Sequence, residues 1–590
     1  MSAAGTAALL PLPIVCPIAG AVLAPLAGRL SRWLPFVVAL LAMAGAIATL
    51  APIAQLVYGG NGQVVSHYLG HWGPVNGQPL GIALVGDPLG MMYASLVAVV
   101  GTLLLLAAFS ELGGLGAREN GGFVCLFLLL LAALIGSALT ADLINLFVWF
   151  QVAALASYGL TGFFLERPIA LEAAFKIIVL TSIAGFLVFV GATLFYRQHG
   201  ALNMAHLHTA LGTGVRTADL LALGLMFLGL ATKAGLVPVH AWLPDAHTAA
   251  PGAVSALFSG LMVNLGILGL ARLLLQVFPS RAHGHGVLPL LTTLGAVSAV
   301  LGALMALLQE DLKRVLAWDT ISQLGILGVG FATLSDRGVA GATYHLLDHA
   351  LFKTLLFLCA GAVVHSTGQT ELARLGGLAR HRPFVTAAFT LGVLAIAGIP
   401  PFNGYASLGL IHEAVEETDP VTFIALLIAQ ALTVAALGRA GYLAFYRRRT
   451  EPYENLEKPR AGMAVTLILL GAACVAFGVF PNRVLSTVAA PAASSLLHPD
   501  EWAAAVLSGR AAVPPLDVSF HYWTLSGLLI VASTVLTGAL IAWWSVRWTT
   551  REVPQPRALR VLRALHSGSV NDYVAFFTVG LIATLAVLLA

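Results

Sequence analysis

Runs of roughly 20 apolar residues, the length that crosses a bilayer as a helix, recur sixteen times along the chain. They lie at about 9–28, 34–57, 84–109, 122–139, 141–164, 174–196, 219–243, 252–277, 287–308, 318–334, 342–365, 384–415, 421–446, 462–480, 522–546 and 571–590. A bilayer core offers backbone groups no water, so each segment must satisfy its own hydrogen bonds, which a helix does. The pattern predicts an all-α polytopic membrane protein of about sixteen transmembrane helices. Only 9% of the 590 residues are charged, against about 25% in an ordinary soluble chain. That scarcity excludes a soluble enzyme, a disordered chain and a nucleic-acid binder, and a net charge of +4 marks no polyanionic partner.

Sixteen spans alternate the loops between two faces, and the basic residues sort with them. Nineteen of the 30 Lys and Arg, Lys313 among them, fall on one face; seven, including Arg272, fall on the other. Basic loops favour the cytoplasmic side, so both termini are expected to face outward, in a bacterial-type inner membrane. No basic leader precedes the first apolar run, so no cleavable signal is expected. Residues 59–83 read as an outer loop or hairpin, 481–521 as a long loop on the same side, and 547–570 as a basic cytoplasmic link. Cys16, Cys125, Cys359 and Cys474 sit singly in apolar runs, so no disulfide, metal site or iron–sulfur cluster is expected.

The chain has 25 Arg but only five Lys, and three of these, Lys176, Lys233 and Lys353, lie at membrane depth. A buried lysine can release its proton whereas arginine stays charged, and an ionisable group inside a span is a functional candidate. In span 7, Lys233 precedes Gly235-Leu236-Val237-Pro238. Pro238 predicts a broken helix, tolerated at that depth only against protein or a wet cavity. Near the helix exit, His240, Asp245 and His247 fit interfacial anchors and relay groups equally well. In span 11, His345, His349 and Lys353 are spaced four apart and share one helix face, with Asp348 beside them; the stripe suits a proton wire. Gly398-Ile399-Pro400-Pro401-Phe402-Asn403-Gly404 predicts a second broken helix, in span 12, and paired interrupted spans point to a transport site. Glu172 and Lys176 form a helical pair of a kind that is more often structural. The Gln309–Arg314 stretch reads as a charged, solvated link.

These motifs carry a resemblance. Residues 143–150 (Leu-Ile-Asn-Leu-Phe-Val-Trp-Phe), Glu172–Lys176, Lys233–His247, Asp311–Ala317, His345–Lys353 and Gly398–Gly404 resemble the antiporter-like subunits of respiratory complex I, membrane-bound hydrogenases and multisubunit cation/proton antiporters. The sixteen spans, and Leu565-His566-Ser567-Gly568 before the last, are most similar to the hydrogenase-4 component B branch. The resemblance implies two inverted five-helix repeats, 121–278 (helices 4–8) and 279–450 (helices 9–13), with broken helices 7 and 12. Helices 1–3 would occupy 1–120 and helices 14–16 would occupy 451–590. It also implies a buried proton path. Three positions depart from the family pattern: Gln151 replaces a glutamate, Asn264 a lysine or histidine, and Leu408 a lysine or glutamate. His412 and Glu413, one turn beyond Leu408, are the available substitutes.

The leading expectation is a proton-translocating membrane-arm subunit without cofactor or redox centre of its own. Its partners would be the bilayer, other membrane subunits and a peripheral redox arm. Gln151, Asn264 and Leu408 motivate an alternative, a structural membrane subunit that no longer pumps. The broken helices also fit a stand-alone secondary transporter.

Overall fold

The computed structural model describes residues 3–59, 63–75, 78–112, 114–278, 286–449, 453, 460–508, 511–549, 566 and 568–589. Among these, fifteen helices are long and apolar enough to cross a membrane. The remaining span is the twelfth, which is divided into Pro383–Ile396 and Gly404–Glu416, so all sixteen apolar runs are helical. Polar N-caps set where several helices begin. The carboxylates of Asp142, Asp311 and Asp419 accept from backbone N–H groups of the first turns of spans 5, 10 and 13, satisfying donors that a helix start leaves open. Bonds from the Thr422 hydroxyl and backbone hold the half-buried Asp419 carboxyl below the usual range.

Burial grades the spans. Span 8 (Gly252–Val277) and span 10 (Leu312–Ala332) are enclosed all round, and span 11 (Asp336–Thr367) nearly so. A helix apolar and buried on every side belongs to the centre of a large bundle. Span 15 (Leu525–Arg547) lies at the periphery, with Leu529, Leu536 and Leu540 exposed. Its ends are marked by exposed Trp523 and by Trp543 and Trp544, about 30 Å apart on a helical rise. Arg547 stacks on Trp543 at 3.8 Å. This spacing matches a hydrocarbon core bounded by aromatic belts.

The loops segregate as the alternation predicts. On one face, the Lys313 ammonium donates to Ala250 O, Leu312 N donates to Thr370 O, and Arg447 donates to Leu372 O. On the other, Ala141 N donates to Ala83 O, Leu143 N donates to Leu202 O, and His208 meets Asp500 at 2.9 Å.

Residues 59–83 supply the expected hairpin, in which Gln63–Tyr68 pairs antiparallel with Ala83–Gly86, and Ala511–Ala512 joins it as a third strand. Three expectations need correction. The 481–521 region is largely helical, over Pro481–Val484, Leu485–Ala489, Ala490–Leu497 and Pro499–Ser508, because Leu485, Ala489, Leu496 and Trp502 bury against the bundle. Arg272 is no loop residue: it is buried within span 8 and bonds both oxygens of Asp87 at 2.7 and 2.9 Å. Lys313, assigned to a solvated link, is buried at the start of span 10. Most of the 547–570 link, with Lys458, Arg281 and Arg510, lies outside the described residues.

Candidate functional site

Span 7 ends its first half at Ala234, three residues earlier than Pro238 predicts. Gly235 adopts φ +72°, a left-handed conformation that closes a helix C-terminus and that other residues resist; its N–H bonds Thr232 O. The freed backbone groups find partners, Val237 N donating to Ser298 Oγ at 2.9 Å and Trp242 Nε1 to Thr232 O at 2.8 Å. Span 12 stops in the same way, with Gly398 at φ +67° and Gln430 donating to Ala397 O at 3.0 Å. At each break a polar side chain of a neighbouring span thus satisfies a freed backbone group.

Lys233 occupies the last turn before the first break and is 2% exposed. Among the described residues it has no ion-pair or hydrogen-bond partner. The partial negative end of its helix supplies a favourable charge. Gln151 is turned to span 6, where its Oε1 would stand 2.2 Å from a Cβ at Gly185. Asn264 is spent on its own helix, donating to Gly260 O at 2.9 Å, and among the described residues its Oδ1 has no hydrogen-bond partner.

Lys176 is buried and holds two carboxylates, Glu172 at 2.6 Å and Asp245 at 2.8 Å; Asp245 also receives Arg314 at 3.4 Å. This cluster ties spans 6, 7 and 10 together. His240 meets His566 at 3.0 Å between their Nε2 atoms, and both rings lie edge-on to Trp318.

The span 11 stripe is divided among different partners. His345 bonds Gln323 of span 10 through Nε2 and Ser407 of span 12 through Nδ1, both at 3.0 Å. His349 is fully buried, and among the described residues neither ring nitrogen has a hydrogen-bond partner. Asp348, beside the stripe, turns to span 12: its Oδ1 accepts from Asn403, inside the span 12 break, at 2.8 Å. Lys353 pairs with Asp319 of span 10, both completely buried, and Asp319 also accepts from Thr433 at 2.9 Å. Towards the opposite face, buried His412 borders a cavity of about 30 Å³ with Leu408, Glu413 and Gln430, room for about two waters.

Sequence reasoning missed Asp319, Gln323 and Ser407. Asp319 was within reach, being the one acidic residue of its span; Gln323 and Ser407 carry no charge and leave no such signal. Lys233→Met is expected to leave assembly intact and thermal stability unchanged or higher, because it removes a buried charge without a counter-ion. Gln151→Glu, nearly equal in size, should assemble as well. Thermal unfolding of the detergent-purified variants checks both, and failure of Gln151→Glu to assemble would mean a dry, packed site.

Fold and site together define a multi-pass membrane protein in which two interrupted helices enclose a buried string of titratable groups. The chain belongs to the NADH:quinone oxidoreductase/Mrp antiporter transmembrane family, whose model matches residues 140–433. It is 32% identical over 502 residues to NADH-quinone oxidoreductase subunit N of Desulforudis audaxviator, covering 82% of this chain and 98% of that one. It is 32% identical over 481 residues to hydrogenase-4 component B of Escherichia coli, covering 77% and 70% respectively. Among solved structures, a chain of the archaeal membrane-bound sulfane sulfur reductase superposes with a TM-score of 0.78 at 28% identity, over 84% of this chain and 99% of that one.

Proposed function

We propose that this chain carries protons across a bacterial-type inner membrane as the membrane-arm subunit of a multisubunit respiratory, hydrogenase or antiporter complex. Both termini face outward in this reading, other membrane subunits and a peripheral redox arm are the partners, and 121–278 and 279–450 form inverted repeats. The observation that carries it is the Lys353–Asp319 pair, fully buried beside an unpartnered His349 and a bonded His345. Such groups are costly in a membrane interior and persist where ions or protons pass. From this pair the route runs through His349 and His345 to Ser407, and leaves by His412 and Glu413.

The first half supports a second reading confined to itself. Lys233 has no carboxylate, and Gln151 and Asn264 cannot exchange a proton at ordinary pH. That half would serve as a scaffold while the second half conducts. On purification in mild detergent, the chain is expected to bring further membrane subunits with it. Recovery as a lone monomer under those conditions would contradict the complex.

A further inference from the structure

The route through the second half reaches a hydroxyl, that of Ser407, and a hydroxyl hands on a proton only by giving one up as it takes one. An acceptor must therefore stand beyond it. Leu408, where the family pattern has a lysine or glutamate, cannot be that acceptor. Ser407 lies in the first turn after the span 12 break, and its Oγ meets His345 Nδ1 at 3.0 Å. The other ring nitrogen, Nε2, meets Gln323 Oε1 at 3.0 Å. An amide oxygen only accepts, so the neutral His345 ring carries its proton on Nε2 and turns the Nδ1 lone pair to Ser407.

Span 11 brings a carboxyl to the same hydroxyl. Asp348 follows His345 by three residues, about one helical turn, so the two side chains leave span 11 as neighbours. Asp348 is completely buried, and Asn403 and Ser407 both stand within hydrogen-bonding reach of its carboxyl. Asn403 donates to Oδ1 at 2.8 Å, whereas Oδ2 has no hydrogen-bond partner among the described residues. Among those residues the carboxyl also forms no ion pair. Two other titratable groups face it. Tyr344 of its own span donates to Phe477 O at 2.7 Å, and Cys474 belongs to span 14, its carbonyl accepting from Asn403 N at 3.1 Å. Neither supplies a positive charge. A buried carboxylate with a bare oxygen and no cation is costly, and a proton from His345 cancels that charge.

We propose that Asp348 is the proton acceptor that follows His345, with the Ser407 hydroxyl as the bridge between them. When His345 is charged, its Nδ1–H donates to Ser407 Oγ, and the Ser407 O–H donates to Asp348 Oδ2. One proton then moves from Nδ1 to Oγ as the hydroxyl proton moves from Oγ to Oδ2. One N–H and one O–H bond break, two O–H bonds form, and His345 and Asp348 both end neutral. The bonds now run the other way, from Asp348 to Ser407 and from Ser407 to His345. When the next proton charges His345, the stored one leaves by the same hydroxyl, through water, to His412 Nε2. That nitrogen has no hydrogen-bond partner among the described residues, and its ring lies within electrostatic reach of His345. This acceptor rests on the proposed proton-carrying function, and supplies beside Ser407 the titratable group that position 408 lacks.

The test uses the assembled complex in vesicles, with proton movement followed by a pH-sensitive dye and carboxyl groups by infrared difference spectra between acid and alkaline pH. Asp348→Asn keeps the size of the side chain and an oxygen for Asn403; transport should fall on the order of 10²-fold. Asp348→Glu, which restores a carboxyl, should recover part of that loss. Ser407→Ala should match Asp348→Asn, and Ser407→Thr, which keeps a hydroxyl, should transport. The double variant Asp348→Asn, Ser407→Ala should fall no further than either alone, as groups that act as one unit do. In the spectra Asp348→Asn should remove one carboxylic acid band and Ser407→Ala should shift it, changes that a carboxyl holding one charge state throughout does not show. Wild-type transport by an assembled Asp348→Asn overturns the proposal, and so does a spectrum that Asp348→Asn leaves unchanged. Should Asp348→Asn fail to assemble, Ser407→Ala decides, and a wild-type rate or a wild-type spectrum overturns it. In each case the wild-type complex still pumps and the broader reading stands, whereas a wild-type complex that moves no protons overturns both.

Discussion

Removing one member of the Lys353–Asp319 pair, by Lys353→Met or Asp319→Asn alone, is expected to lower stability by about 3–5 kcal/mol, because each leaves a completely buried charge without its partner. Asp319→Asn keeps the shape of the side chain and the acceptor for Thr433, so its loss is electrostatic. Making both changes together removes both charges, and a buried pair replaced as a unit is often neutral or even stabilising. Thermal unfolding should therefore show two destabilised single variants and a double variant close to wild type. Proton transport should behave differently, falling by about 10²–10⁴-fold in all three, the range lost with a positioned proton donor or acceptor. Stability that recovers without transport separates a proton station from a structural ion pair.

The second large effect belongs to the opposite face. Asp87 accepts from Arg272, from Trp502 Nε1 at 3.0 Å and from Gly90 N at 2.8 Å, and Gln276 extends the cluster to Ser495 O at 2.8 Å. These bonds join spans 3 and 8 to the helical 481–508 segment, with every Asp87 lone pair directed to a donor. Asp87→Ala is expected to cost about 3–5 kcal/mol, since it strands the buried Arg272 guanidinium. The expected result is a steep fall in the yield of folded protein from the membrane, with a lowered unfolding temperature for what remains. Normal yield and unfolding temperature would mean that Arg272 finds water instead.

The span count was legible because the bilayer imposes one length and one composition on every crossing segment. Both breaks were legible from Pro and Gly, although the stop came at Gly235 and not at Pro238, because a left-handed glycine ends a helix before the proline is reached. Lys176, Lys233 and Lys353 stood out because charge is rare inside a membrane. Partners were not legible. The i, i+4 spacing on span 11 set His345, His349 and Lys353 on one face with Asp348 beside them, but not what each side chain meets: Asp348 bonds Asn403 and Lys353 bonds Asp319, since pairing across helices depends on how spans pack. Arg272 and Lys313 were misplaced for a related reason. Arg272 sits near the end of an apolar run and Lys313 between two runs, where sequence cannot separate a solvated residue from a buried one.

The central claim is that protons pass through the second half of the chain by way of Lys353 and Asp319. Its most direct test is dye-monitored proton movement in vesicles holding the assembled complex, wild type beside the double variant Lys353→Met, Asp319→Asn, with assembly and unfolding temperature matched. The account predicts transport in the wild type and a loss of at least about 10²-fold in the double variant. A correctly assembled double variant that transports protons at the wild-type rate would contradict it.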